Sequence, residues 1–95
     1  MLNEKLIGEV VSIATVGGET VGRLKSIEEE GIVVSSPCSV IPSEQGGSLH
    51  PGVCMTGKTE PSEAAFYKTN IITIVESSDE VMKLWQQMTS GIILQ

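Results

Sequence analysis

The chain has 95 residues, 40% of them hydrophobic, and a formal net charge of −6. That length fits one domain spanning residues 1–95. No apolar run approaches the roughly 18 residues of a membrane span, and the six Lys and Arg are too scattered to form the basic face that nucleic-acid binders carry. With one Phe, one Tyr and one Trp, the core has to be built from Ile, Val, Leu and Met.

In chain order, Leu2, Leu6 and Ile7 have helical spacing with Asn3 available as a cap, so the segment before Gly8 reads either as a helix of one to two turns or as the start of a strand. Residues 10–16 read as a first strand, with Val11 and Ile13 on one face. Gly17-Gly18 supplies a tight turn, because glycine takes positive φ without steric cost. The second strand covers about residues 19–27. Gly22 interrupts it and marks a bulge or sharp bend. Glu28, Glu29, Glu30 and Gly31 form the next turn. The third strand runs from Ile32 to about Val40. Pro37 cannot donate to a ladder, so a bulge or an unpaired edge is expected there.

Residues 43–63 change composition, with four glycines and two prolines among few bulky apolar side chains. They read as a long loop or a loose hairpin, with Val53, Cys54 and Met55 in one arm. Two strand pieces follow, residues 65–68 and 71–75, with a kink at Thr69-Asn70. Ser78 then caps a helix, and Asp79 and Glu80 suit the positive end of its dipole. Val81, Leu84, Trp85 and Met88 form one apolar stripe. Gly91 is expected to stop the helix, leaving Ile92, Ile93 and Leu94 as a strand-like tail.

Few residues suggest chemistry. His50, Cys54 and Cys38 lack the paired close spacings of a four-ligand metal site, so no metal is expected. Three adjacent carboxylates at 28–30 read as a solvated turn. No nucleophile elbow, zincin helix or phosphate-binding glycine loop is present. The chain is therefore expected to be no enzyme and to need no cofactor. Glu4 and Glu9 interrupt the region where a secretion signal would stand, which leads to the expectation of a cytoplasmic protein with free thiols at Cys38 and Cys54.

The stretch from Gly17 to Val34 resembles the first motif of the Sm-like (LSm) family. It has a glycine turn, then Gly22-Arg23-Leu24, then Ile27-Glu28 ahead of Ile32, Val33 and Val34. Lys68, Thr69, Asn70, Ile71 and Ile72 echo the second motif. A narrower likeness covers nearly the whole chain. Gly18-Glu19-Thr20-Val21-Gly22, the Val34-to-Pro37 stretch, Ile41-Pro42, the Glu63-to-Phe66 stretch and the C-terminus are similar to small Sm-like proteins of tailed marine bacteriophages. That group has no assigned biochemical role.

The resemblance implies a strongly bent, five-stranded antiparallel open barrel with a C-terminal helix, assembled as a homo-oligomeric ring. The net charge of −6, and not the resemblance, points to a structural or interaction module with an unknown protein partner; the resemblance implies the cytoplasm of an infected bacterial host. The alternative it implies is an RNA-binding ring. By motif position, nucleic acid would then meet Glu28, Lys68 and Asn70. Ile32 stands where the family has an Asn, and it offers no donor or acceptor to a base edge. Lys68 lacks the planar guanidinium that stacks on a base. The subunit interface is expected at Phe66, Ile71 and Ile74, which lie in a β-rich run apolar on both faces. The tail residues Ile92, Ile93 and Leu94 are expected to join it by strand addition.

Overall fold

The computed structural model describes residues 4–54 and 56–93, with side chains described through residue 89. A 3-10 turn, Glu4–Leu6, leads into β1 (Val10–Thr15), β2 (Gly18–Ile27), β3 (Gly31–Ser43) and β4 (Gly46–Pro51). Then come β5 (Glu63–Tyr67), a second 3-10 turn (Lys68–Asn70), β6 (Ile71–Glu76) and one α-helix, α1 (Asp79–Ile93). The caps expected at Asn3 and the arm residue Met55 lie outside the described residues.

All strand pairings are antiparallel. The sheet runs β4-β3-β2-β1-β6, and β5 adds to β3 beside β4. It is an open sheet, since β5 and β6 do not pair with each other. The expected mainly-β, antiparallel architecture with a C-terminal helix is present, but with six strands instead of five. The extra strand, β4, comes from the segment read as a long loop or a loose hairpin, and it pairs with the end of β3 as a hairpin arm, though not at the residues expected for one. Val53 and Cys54 belong to no strand. The arm is Gly46–Pro51, registered on β3 from Ser39↔His50 to Ser43↔Gly46.

β3 organises the sheet. Its first half pairs with β5 from Gly31↔Tyr67 to Ser35↔Glu63, and its second half pairs with β4. Its other edge holds β2 from Ile27↔Ile32 to Thr20↔Ser39, with two register shifts on the way. Between the halves the strand bends at Ser36, whose φ of +48° is the one positive value at a described non-glycine residue. Pro37 follows inside this bulge, where no ladder partner needs its missing N–H. The expected bulge is there, but β3 is an interior strand and not an edge. Across from it, Gly22 sits where the β2–β3 register shifts. A Cβ at Gly22 would collide with Val34 Cγ1 and lie 3.0 Å from the Ser35 carbonyl oxygen. The missing side chain lets the two bent strands approach.

Adjacent strand residues face opposite sides, and the sheet buries both. Val11, Ile13, Leu24, Ile32 and Val34 make the interior cluster, with Leu6, Ile27, Phe66, Ile71 and Ile74 packed around it. Val10, Val21 and Cys38 face the other way and meet Trp85 of α1. The helix begins as expected: the Val81 N–H donates to Ser78 Oγ over 3.3 Å, and Asp79 and Glu80 occupy the first turn.

Two expectations about α1 are corrected. Leu84 is 41% exposed, and Met82 packs on the sheet in its place. Successive helical residues lie about 100° apart, so a helix centred on Trp85 turns Leu84 to its flank. Gly91 does not stop the helix, which continues through Ile92 to Ile93. An interior glycine weakens a helix by about 1 kcal/mol relative to Ala but does not forbid it. Ile92 and Ile93 are therefore helical, not a strand-like tail; Leu94 lies outside the described residues.

Candidate functional site

β2 is so bent that one short turn reaches both of its ends. The Lys68 N–H donates to the Glu30 carbonyl over 2.8 Å, which ties the Lys68–Asn70 turn to the β2–β3 connection. Two residues later, the Asn70 carbonyl accepts the Val16 N–H over 3.1 Å, from the β1–β2 turn. Glu28 closes its own turn, its N–H donating to the Gly31 carbonyl over 2.7 Å. Glu28, Lys68 and Asn70 are thus exposed residues on connections that hydrogen bonds hold side by side. Gly31 permits this arrangement. A Cβ there would overlap the Phe66 carbonyl, so only glycine allows β5 to pack so closely.

The same turn joins two strands with open edges. β5 pairs along one edge with β3, and β6 pairs along one edge with β1. Among the described residues no strand pairs with their other edges. Phe66, Ile71 and Ile74, expected at an interface, are half-buried against the interior cluster of their own chain. The apolar side chains that these strands show to solvent are Tyr67, Ile72 and Val75, at 60%, 68% and 52% exposure. The residue-by-residue reading did not single them out. Ile72 is the extra residue of a bulge, because Thr15 pairs with Ile71 and Ala14 with Thr73.

Elsewhere the surface is quiet. Lys25 Nζ meets Glu63 Oε2 at 2.7 Å, the one ion pair among the described residues. His50 lies exposed on β4, its Nε2 3.1 Å from Ser48 Oγ. Cys38 is buried and Cys54 exposed, both as free thiols. Burial pushes the Cys38 thiol above its ordinary value of 9.0. Among the described residues, no group of three His, Cys, Asp or Glu is placed to hold a metal, and no helix is long and apolar enough to cross a membrane.

These features define a mainly-β protein: one open antiparallel sheet, covered on one face by a single C-terminal helix. Compared with known protein families, the chain matches no family model, and no curated protein matches it.

Proposed function

We propose that this chain is an Sm-like subunit that closes into a homo-oligomeric ring and serves as a structural or interaction module without enzymatic activity. The observation that supports this reading is the pair of open edges on β5 and β6, joined by a three-residue turn. An exposed strand edge presents a row of unpaired N–H and C=O groups, and natural proteins usually blunt it with charge. Here β6 shows Ile72 and Val75 to solvent, with Glu76 only at its end. Adding β5 of one copy to β6 of the next would satisfy both edges by strand addition. That contact is head-to-tail, so it closes into a ring or runs on as a filament. A net charge of −6 per chain works against indefinite stacking.

Light scattering over a micromolar concentration range tests the reading. One species several chains in mass is expected, and a monomer throughout that range would overturn it.

The second reading is an RNA-binding ring. The placement of Glu28, Lys68 and Asn70 around one turn favours it, because it brings the two motif segments together. Binding of oligo-U or oligo-A that weakens steeply with salt would select it. No binding at low salt selects the module without RNA.

A further inference from the structure

A cleft of about 500 Å³ lies between α1, the bend of β3 and residues 60–62. No residue of β5 or β6 lines it, so it is independent of the edges discussed above. Its size falls within the roughly 300–1,000 Å³ typical of small-molecule sites. Pro37, Pro51 and Pro61 supply rigid apolar walls, and Met88 a flexible one. Trp85 contributes ring surface only, since its indole N–H is committed to the Ser36 carbonyl at 2.9 Å. The wall at Ser36 carries the strained φ of +48°, and strain of this kind collects at ligand clamps.

Two charges face this apolar space, Arg23 and Glu60. Neither takes part in an ion pair among the described residues. The Arg23 guanidinium lies 5.3 Å from the centre of the Trp85 ring and donates one N–H to the Gly8 carbonyl. A guanidinium has five N–H donors in a planar fork, so an ordered remainder is left for an acceptor. Holding the group in advance lowers the entropy cost of binding. A polyanion would be repelled by Glu60, and a simple cation by Arg23. A ligand bearing one charge of each sign satisfies both.

We propose that this cleft binds a small zwitterion with an apolar body, of the apolar amino-acid or dipeptide class. Its carboxylate lies on Arg23, its ammonium on Glu60, and its side chains on the prolines and Met88. Trp85 is the only tryptophan in the chain and lines this cleft, so its emission responds to a ligand bound there.

The test is fluorescence titration of the full chain with leucine, methionine and leucyl-leucine. A saturable change in emission is expected with at least one of them. For leucyl-leucine, amidating the carboxylate or acetylating the amine should each weaken binding about tenfold or more, the loss of one charge-assisted contact. Arg23→Gln should erase the preference for free acid over amide, and Glu60→Gln the preference for free amine over acetyl. The ligand-side comparison uses the wild-type chain and does not depend on how the variants fold. No saturable change with any of the three ligands overturns the proposal. So does an amide or acetyl derivative that binds as tightly as the parent.

Discussion

The Trp85 indole N–H donates to the carbonyl of Ser36 over 2.9 Å, so the single tryptophan of α1 holds the one strained bend of β3. The bend is held from two further sides. The Ser36 N–H donates to the Ser62 carbonyl over 2.8 Å, and the Gly52 N–H to the Pro37 carbonyl over 2.9 Å. Trp85→Phe keeps most of the buried ring but leaves that carbonyl without the indole donor, which should cost about 1–3 kcal/mol. Trp85→Ala should cost about 3–5 kcal/mol, the range for emptying a large aromatic site. Urea unfolding of the two variants separates the hydrogen bond from the packing.

Gly22→Ala and Gly31→Ala both place a Cβ on atoms that have little room to move. At Gly31 the obstacle is backbone, the Phe66 carbonyl of β5. At Gly22 it is first the Val34 side chain and then the Ser35 carbonyl. Overpacking of this kind costs about 1–3 kcal/mol. Gly31→Ala should be the worse of the two, because backbone yields less than a rotamer. Thermal melts check the order. Gly17→Ala serves as the control, since a Cβ there meets nothing closer than 4.0 Å.

The buried Cys38 thiol gives a pH dependence of known sign. Burial raises its folded value above 9.0 and so favours the neutral form in the folded chain. Above that pH the unfolded chain releases this proton while the folded one keeps it, and stability falls as pH rises. The contribution is fully present below pH 9.0 and is lost on the way up to the folded value. Unfolding free energies at pH 8 and 10 should differ less in Cys38→Ala than in the wild type. In the native state a thiol reagent should label Cys54 quickly and Cys38 only on unfolding.

Ile72→Glu with Val75→Glu tests the open edge of β6. Both side chains are exposed, so the isolated subunit should keep its stability to within about 0.5 kcal/mol per site. If β6 meets a neighbour, the charges act as gatekeepers against pairing. Light scattering should then show a lower mass for the double variant than for the wild type. An unchanged assembly would place the contact elsewhere on the surface.

Much of the sheet was legible because its residues agree with one another locally. Val11 and Ile13 alternate as a strand should, Gly22 and Gly31 stand where the strands bend or crowd, and the kink at Thr69-Asn70 is a 3-10 turn. β4 was not legible, because Gly46–Pro51 has no apolar alternation and pairs only because β3 extends beside it. Ile71 and Ile74 both turn inward although they are three residues apart. Strict period-two alternation forbids that, and only the bulge at Ile72 makes it possible. The same bulge exposes Ile72, so the apolar part of the candidate edge was hidden in a register that sequence alone does not state. Lys68 and Asn70 were readable as turn residues. Their bonds to Glu30 and Val16 depend on the curvature of β2.

All five residues of the interior cluster, Val11, Ile13, Leu24, Ile32 and Val34, belong to the first three strands. Those strands are joined by tight local turns, so their contacts close at little loop entropy. β5 and β6 instead return from far along the sequence to β3 and β1. Among the strands, amide exchange should therefore be slowest at Val11, Leu24 and Val34 and faster along β5 and β6. If β5 and β6 are the strands that meet a neighbouring copy, they are also the last to be secured within their own chain. Ring closure and the final folding step would draw on the same two strands, and the melting temperature should climb with protein concentration.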